Sequence, residues 1–457
     1  MARLLLITVL WAAALLLPSC GRGPQSVEEH KAPDGRIVVD FWHAMSGGHA
    51  RSVNEMVDAY NASQDKYLVR GIYQGHYAAL QQKLIASLYA GQPPAMSLVY
   101  ESWANQFLTF GNLQPVAHFL EKDPEWAAND LPDIFQTLRD NNSYPLRKDD
   151  AGEWVLDEAA EPQLATLPFN KSVYMLFINE TLMKEVGHEQ PPRTWAEMEE
   201  LARKMTVRVD GVTQRYGFAT RRTMESITPF IFAAGINYTD EQNNFQMTTP
   251  EAEAAIEFLT NLVLGEDSSG YVEPGYLSSG FGQGRIGMWV GSTASFPFND
   301  GAVGNKFIWS AHAIPAMDDG TRAMMLSQGT NIGIFKQGFN GMGALPEEVQ
   351  DGAWDFLKYL MRPEVSAKWA MDSGYIPVRE SALELPEMKA FLEANPNYAN
   401  AFELIPQLAF EPRPIWWNDI RDLLMREVEA VLLEKKTPSE MLQSVQERAT
   451  AIKMAGA

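Results

Sequence analysis

The order of strand and helix patterns in residues 37–100 is the feature that most limits how this chain can fold. Short apolar runs typical of buried strands occur at residues 37–42, 67–73 and 96–100. Between these runs lie two stripes of apolar residues at helical spacing, which consist of Val53, Met56, Val57, Tyr60, Leu80, Leu84 and Leu88. Strands that alternate with helices in this way predict an α/β fold with a parallel, doubly wound sheet.

The residues that end the three predicted strands form the first candidate site. They are Trp42, His43, Gly75, His76, Tyr77, Tyr100 and Glu101. Ligands of such sheets bind outside the carboxyl ends of the strands. An aromatic ring, a phenol and a carboxylate would thus share one rim, where they can stack on a ligand and accept hydrogen bonds from its hydroxyl groups. Each of these residues alone is more often a core or surface residue, so the interpretation depends on their convergence.

The first twenty residues predict export and attachment to a membrane. Arg3 precedes an apolar run, Leu4 to Leu17, that is too short for a permanent membrane-spanning helix. Its end, Leu17-Pro18-Ser19-Cys20, resembles the lipobox of bacterial lipoproteins. We expect residues 1–19 to be a signal peptide, Cys20 to carry the lipid and residues 20–35 to be a solvated tether. The alternative is an ordinary signal peptide followed by a chance cysteine.

Composition excludes several classes of partner and site. The formal net charge is −21, and we find no stripe of lysine and arginine that would bind nucleic acid. Cys20 is the one cysteine, so the core must be stable without a disulfide. With 457 residues and 46% hydrophobic content, the chain is large enough for two or more domains.

The chain has no recognisable catalytic motif. It contains no nucleophile elbow, no phosphate-binding loop and no zinc-protease motif, and the seven histidines are scattered. We therefore expect no cofactor and no metal, and we rank an exported hydrolase below a binding protein. Residues 139–163 are rich in Asp, Asn, Glu and Pro and predict a polar connection, after which residues 166–179 resume a strand pattern.

Seven motifs follow one another along nearly the whole mature chain. They are Phe41-Trp42-His43, Gly75-His76-Tyr77, residues 95–101, Pro168-Phe169-Asn170-Lys171-Ser172, Pro191-Pro192-Arg193-Thr194-Trp195, Ser373-Gly374-Tyr375-Ile376-Pro377-Val378 and Lys435-Lys436-Thr437-Pro438. Their order and spacing resemble those of the type II solute-binding proteins of ABC importers, family 1. The resemblance is closest to the members that bind glycerol-3-phosphate.

The resemblance implies a type II periplasmic-binding-protein fold. Two lobes, each with a mostly parallel doubly wound sheet, would close on a solute and deliver it to the transmembrane subunits of a permease, and the C-terminal region would be helical. We assign residues 36–145 and about 305–360 to lobe 1, and about 146–304 and 361–457 to lobe 2. We expect a monomer that touches the membrane only through its lipid.

The resemblance also implies a set of ligand contacts. They fall at Tyr77, Glu101, Ser172, Gly329, Tyr375 and Arg413, and one further contact falls at Ser292 or Thr293. The alternative for Arg413 is that it caps a helix or pairs with Glu411 on the surface. The chemistry agrees with an organophosphate, because a guanidinium and a phenol suit a phosphate and a carboxylate can accept from two vicinal hydroxyls. The absence of a side chain at Gly329 would let its N–H approach a ligand closely.

One departure widens the choice of solute. The family's glycerol-3-phosphate binders present a tryptophan where this chain has residues 218–224, a segment that contains Arg221 and Arg222 but no tryptophan. A glycerophosphodiester could fill the space that the missing ring leaves. The two arginines are more often part of a solvated surface than of a phosphate site. A sugar receptor of the same fold is the alternative, and its candidate stacking rings are Trp103, Trp289, Trp416 and Trp417.

Overall fold

The computed structural model describes residues 23–240, 243–265, 267–318 and 324–456. The predicted signal peptide and Cys20 lie outside these residues. The described chain forms one large sheet of twelve strands and one small sheet of three. Among the described residues, no helix is both long and apolar enough to cross a membrane.

The strands of the described residues are numbered here in chain order. They are β1 Ile37–His43, β2 Tyr67–Tyr73, β3 Met96–Val99, β4 Leu113–Gln114, β5 Ser143–Lys148, β6 Trp154–Leu156, β7 Pro162–Leu164, β8 Leu167–Asn179, β9 Val207–Val209, β10 Val212–Thr220, β11 Gly270–Val272, β12 Ile286–Ser292, β13 Trp309–His312, β14 Met325–Phe335 and β15 Leu408–Ala409. The large sheet has the order β11-β10-β12-β8-β14-β3-β1-β2, with β13 beside β8, β4 and β15 beside β14, and β9 beside β10. The small sheet has the order β6-β5-β7.

Helices cover the sheets and dominate the C-terminal third. They are α1 Gly47–Ser63, α2 Tyr77–Tyr89, α3 Glu101–Thr109, α4 Val116–Lys122, α5 Pro124–Asn129, α6 Gln136–Asn141, α7 Glu180–Glu185, α8 Trp195–Met205, α9 Thr228–Ala233, α10 Pro250–Val263, α11 Leu277–Gly282, α12 Phe296–Val303, α13 Glu347–Leu360, α14 Pro363–Ser373, α15 Pro386–Ala394, α16 Pro396–Phe402, α17 Trp417–Leu432 and α18 Pro438–Gly456. Helix α8 begins where the Thr194 hydroxyl accepts the backbone N–H of Glu197, as its sequence predicts.

The first three strands confirm the predicted parallel arrangement. Strand β1 lies between β2 and β3, with Ile37 opposite Tyr67 and Phe41 opposite Met96, and both pairings are parallel. The predicted helical stripes are buried in α1 and α2. The chain therefore has a mixed α/β architecture.

Strands β8 and β14 join the two halves of the large sheet. They have 13 and 11 residues, nearly all buried, and run antiparallel to each other. At Gly329 the two backbones approach so closely that an added Cβ would lie 1.8 Å from the carbonyl oxygen of Asn170. The φ angle of Gly329 is +111°, which side chains rarely tolerate. The glycine is thus required by the pairing of these two strands.

The prediction of a plain polar connection at residues 139–163 is wrong, because this region contains β5, β6 and β7. Tyr144 and Leu146 are buried on one face of β5. The carboxylate of Asp149 accepts the backbone N–H groups of Ala151 and Glu153 and so closes the turn between β5 and β6. The polar residues thus form a turn between short strands. The sequence did not predict these strands, because two buried apolar positions are too few to give a clear alternating pattern.

The bounds of the two lobes stay a prediction, but strand pairing refines one of them. We expected lobe 1 to resume near residue 305. Strand β13 instead pairs with β8, with Trp309 opposite Asn179 and Ala311 opposite Phe177. A resumption near β14 fits this pairing better.

Candidate functional site

Tyr77, Tyr375 and Asn170 meet beside β8. The side-chain amide of Asn170 donates to the Tyr77 hydroxyl at 2.7 Å, and the Tyr375 hydroxyl interacts with both. The Tyr375 ring is held by stacking on Trp369, with the ring centroids 5.4 Å apart. Burial raises the pKa of Tyr77 and of Tyr375, so both phenols keep their protons. Because the two hydroxyls bond to each other, one of these protons is free to be donated to a ligand oxygen.

Glu101 forms a buried ion pair with Lys171. The Lys171 ammonium lies 2.5 Å from Glu101 Oε1, and the two side chains are 1% and 4% exposed. The ammonium also contacts Asn141 Oδ1 at 3.1 Å, and the Asn331 amide donates to the same Glu101 oxygen at 3.4 Å. One oxygen of this carboxylate is therefore engaged within the protein, which leaves Oε2 for the predicted contact with ligand hydroxyls.

Ser172 and Gly329 lie close together on the paired strands β8 and β14. Ser172 is opposite Gln328, and its hydroxyl contacts the Gln328 carbonyl oxygen at 3.3 Å. Gly329 is opposite Lys171, whose ammonium contacts the Gly329 carbonyl oxygen at 3.4 Å. Contact of these two residues with a solute stays a prediction.

Ser292 and Thr293 stand at the carboxyl end of β12, next to the segment that carries Tyr375. An added Cβ on Gly374 would lie 2.2 Å from the carbonyl oxygen of Thr293. The Thr293 hydroxyl is fully buried and has no hydrogen-bond partner within the described part of the chain. Ser292 is half-buried. Thr293 thus adjoins the segment that carries Tyr375, and its hydroxyl is unused within the described residues.

Arg413 lines a cavity of about 500 Å³. Its guanidinium donates from Nη2 to the carbonyl oxygen of Asp140, in the last turn of α6, and lies 5.3 Å from the centre of the Tyr144 ring. The described residues place no carboxylate within ion-pair distance of it, since Glu411 pairs with Arg421 instead. One donor of Arg413 therefore caps a helix, and the alternative of a surface pair with Glu411 is wrong.

A second guanidinium, which the sequence analysis missed, lies between two carboxylates. Arg421 Nη2 is 2.7 Å from Glu225 Oε1, and Arg421 Nε is 3.3 Å from Glu411 Oε1. The amide of Gln328 donates to both carboxylates, at 3.2 and 3.0 Å. We call Arg421, Glu225 and Glu411 the Arg421 cluster. Glu411 also lines the cavity of Arg413, so the two groups are neighbours.

The Arg421 cluster reaches the phenols of the candidate site. Burial raises the pKa of Tyr100, on which Arg421, Glu411 and Glu225 all act electrostatically. Tyr174 donates its hydroxyl to Gln328 at 3.0 Å. Burial raises the pKa of Glu225, but the charge of Arg421 and hydrogen bonds, among them those of Gln328 and Thr223, together lower it by more, so the carboxyl is ionised at neutral pH.

No sequence signal pointed to the Arg421 cluster. Its members come from the segment after β10, from the turn before α17 and from α17 itself, and none stands in a motif with a fixed spacing. Residue 225 lies just past the segment 218–224 in which we noted the missing tryptophan. The carboxylate of Glu225 therefore adjoins the segment in which this chain departs from the glycerol-3-phosphate binders.

Only part of the rim predicted at the carboxyl ends of the first three strands is present. The rings of Tyr77 and Tyr100 lie 5.1 Å apart, as convergence requires. His43 is 2% exposed, and burial lowers its pKa to about 4, so it is a neutral core residue. Trp42 is half-buried.

Three of the four candidate stacking tryptophans lie in the core. Trp103, Trp289 and Trp417 are buried, and Trp416 is half-buried. At the edge of the site, Arg221 lies over the exposed ring of Tyr276, and Arg222 is exposed, as the surface interpretation of these arginines expects. Within the described ranges, no group of three or more histidine, cysteine or acidic side chains could hold a metal ion.

Comparison with known proteins identifies the family. Residues 55–400 match the model of the bacterial extracellular solute-binding proteins. The sn-glycerol-3-phosphate-binding periplasmic protein UgpB of Pectobacterium atrosepticum is 25% identical over 431 residues, which cover 91% of this chain and 90% of that protein.

Two solved structures show the same fold. UgpB from Mycobacterium tuberculosis in complex with glycerophosphocholine has a TM-score of 0.75, at 19% identity and 92% coverage of this chain and 99% of that one. The cyclic α-maltosyl-1,6-maltose binding protein of Arthrobacter globiformis has a TM-score of 0.69, at 19% identity and the same coverage of both chains. The fold is thus shared by receptors whose solutes differ in charge and size.

Proposed function

Because this chain belongs to the family of bacterial extracellular solute-binding proteins, we propose that it is the receptor of an ABC importer for a small glycerophosphodiester. Members of the family are receptors and not enzymes. The chain therefore binds a small solute outside the cytoplasm and works with an ABC permease. The class of solute and the lipid anchor are our proposals.

The observation that carries the choice of solute is Arg413 in its cavity. Its guanidinium has five N–H donors, and the described contacts use one of them, on the carbonyl oxygen of Asp140. With no carboxylate as partner, the positive charge is available to an anion. A cavity of about 500 Å³ has the size of a small-molecule site. Phosphate is one of the anions whose geometry a guanidinium fork matches with two parallel hydrogen bonds.

The charges around Arg413 favour a phosphodiester over a phosphomonoester. Asp140, Glu158 and Glu411 line the same cavity. A monoester carries close to two negative charges at neutral pH and a diester carries one, so the carboxylates repel the monoester more strongly. The missing tryptophan leaves room for the second ester group. One similar protein supports this class, since the structure of UgpB from Mycobacterium tuberculosis holds the diester glycerophosphocholine. The relative from Pectobacterium atrosepticum binds the monoester glycerol-3-phosphate and supports an organophosphate in general.

A sugar is the second candidate, and a specific observation favours it. The two described cations nearest to the phenols, Lys171 and Arg421, are both paired with carboxylates. Phenols and amides such as Tyr77 and Asn170 suit hydroxyl groups, and a maltosyl-binding protein shares the fold. Such a solute would leave Arg413 as a structural residue.

Calorimetry on Arg413 variants separates the two candidates. Loss of one partner from a buried, hydrogen-bonded charge pair costs about 2 to 5 kcal/mol, so Arg413→Ala should weaken binding of glycerophosphocholine by about 30-fold to several thousand-fold. Arg413→Lys should also bind weakly, because an ammonium cannot form two parallel bonds. Arg203→Ala, on the exposed face of α8, is the control. Unchanged affinity in Arg413→Ala would exclude the phosphate contact and favour the sugar.

We also propose that the two halves of the protein close on the solute. The Ser102 hydroxyl of α3 donates to the side chain of Asn418 in α17 at 2.8 Å, which is a polar contact between distant segments. Such contacts can open and close as a hinge moves. Small-angle scattering should give a smaller radius of gyration with saturating glycerophosphocholine than without it. An unchanged radius would contradict closure.

A further inference from the structure

The Arg421 cluster carries an unbalanced negative charge in half-buried surroundings. The side chains of Glu225, Glu411 and Arg421 are 14%, 6% and 31% exposed. Their other described partners, Gln328 and Trp417, are neutral hydrogen-bond donors. One positive and two negative charges leave a sum of −1. A partly desolvated charge that lacks a counter-charge is costly, so a positive group on a ligand would be stabilised here.

Phenol rings border this negative charge. Tyr174 and Tyr100 are both half-buried, and the charges of Glu225 and Arg421 act on both phenols. Tyr77 packs against Tyr100, with its ring centroid 5.1 Å away. Aromatic faces attract ammonium and quaternary ammonium groups. Carboxylates and aromatic rings thus meet at one place in the site.

The position of Arg413 completes the pattern of charges. Arg413 and Glu411 are two residues apart and line the same cavity. With Arg413 and the other carboxylates of its cavity, Asp140 and Glu158, included, two positive and four negative side chains sum to −2, and Arg413 is the cation without a described carboxylate partner. A solute with one negative and one positive group is complementary to that arrangement.

We propose that this receptor is specific for phosphodiesters that carry a cationic head group, which the Arg421 cluster and the rings of Tyr100 and Tyr174 hold while Arg413 holds the phosphate. The inference rests on the proposed function. Glu225 is then the residue that determines specificity for the head group, because it is the more exposed of the two carboxylates. A diester with an uncharged head group would leave the negative charge of the cluster uncompensated.

Calorimetry with two diesters tests this proposal. The probes are glycerophosphocholine, which is zwitterionic, and glycerophosphoglycerol, which has the same phosphodiester and a neutral second group. We expect the unchanged protein to bind the choline compound at least about 10-fold more tightly. Glu225→Gln should lower affinity for the choline compound by about 10-fold and change affinity for the glycerol compound by less than about 3-fold. Glu403→Gln, an exposed position without a described side-chain partner, is the matched control.

A second variant, which lacks the Tyr100 ring, tests the same specificity even if Glu225→Gln does not fold. Tyr100→Leu removes an aromatic face without a change of charge, and it should cause the same selective loss of the choline compound. Equal affinities of the unchanged protein for both diesters would overturn the specificity for cationic head groups and leave the proposed function intact. Equal losses for both diesters in Glu225→Gln would also overturn it, since Glu225 would then only support the fold. Binding of neither diester would refute the proposed function itself.

Discussion

Removal of the Lys171 ammonium should strongly destabilise the fold, because it leaves the Glu101 carboxylate buried without a counter-charge. The two side chains are 1% and 4% exposed, and the shortest distance between their charged atoms is 2.5 Å. The remaining described contacts of Glu101 Oε1 come from the neutral amide of Asn331. Neutral donors cannot offset a full charge in such surroundings.

The expected size of the effect follows from the burial of the pair. Loss of one partner from a buried ion pair costs about 3 to 5 kcal/mol. If the chain unfolds in units of about 150 to 250 residues, each kcal/mol lowers Tm by about 2 to 4 °C, so Lys171→Met should lower Tm by about 6 to 20 °C. The double variant Lys171→Met/Glu101→Leu should recover most of this loss, because a pair of apolar side chains can replace a buried ion pair at little cost.

Chemical denaturation of four proteins measures the effect, and Lys184→Met is the matched control. Lys184 forms an ion pair with Glu180 in α7, but those side chains are 50% and 26% exposed. The control should change the free energy of unfolding by less than about 1 kcal/mol. A loss in Lys171→Met as small as that of the control would refute the reasoning. A double variant less stable than Lys171→Met would refute it too, since no unpaired charge remains there.

Three further predictions concern the strand pairing, acid stability and the anchor. Gly329→Ala should lower the free energy of unfolding by about 2 to 6 kcal/mol, because of its positive φ and its crowded Cβ position. In denaturation experiments, Gly301→Ala, in the open surroundings of α12, should change it by less than about 1 kcal/mol. Burial raises the pKa of Asp133, but bonds from Ser381 and Arg379 lower it further, so its stabilising contribution is complete above the unfolded pKa of about 3.9 and is lost as pH falls through the folded pKa. The stability difference between the unchanged protein and Asp133→Asn should therefore shrink below about pH 4 in urea titrations, and a constant difference would contradict this. Cys20→Ser should release the protein from membranes or block its processing, and a processed variant that stays in the membrane fraction would disprove the anchor.

The sequence was most informative where one side-chain period covers a whole element. The stripe from Val53 to Tyr60 is buried in α1, so local pattern and tertiary packing agree there. The run from Tyr67 to Tyr73 is the strand β2, as predicted, but at the edge of the sheet it is buried only at Tyr67 and Val69. Pairing between distant segments leaves no such local pattern. That β14 and β13 both pair with β8 follows from contacts between segments at least 130 residues apart.

The candidate site likewise has residues that a local pattern predicts and charge pairs that no local pattern predicts. Tyr77 is the first residue of α2, beyond the carboxyl end of β2, where a parallel sheet predicts a ligand site, and its hydroxyl does meet that of Tyr375. The charge state of the site was not predictable, because it depends on which carboxylate each guanidinium contacts. Glu411 was considered as a partner for Arg413, two residues away, but it pairs with Arg421.

The pairing of Glu411 with Arg421 rather than Arg413 determines where the charges of the candidate site lie. If Glu411 paired with Arg413, the charge of Arg413 would be neutralised and Arg421 would balance Glu225 alone. Because α17 brings Arg421 to Glu411, and Trp417 Nε1 donates to Glu411 Oε2 at 2.9 Å, the carboxylate is held away from Arg413. The first five residues of α17, which include Trp417 and Arg421, therefore keep the carboxylate of Glu411 apart from the guanidinium of Arg413. A substitution of Trp417 should therefore change the affinity for charged solutes more than the affinity for neutral solutes.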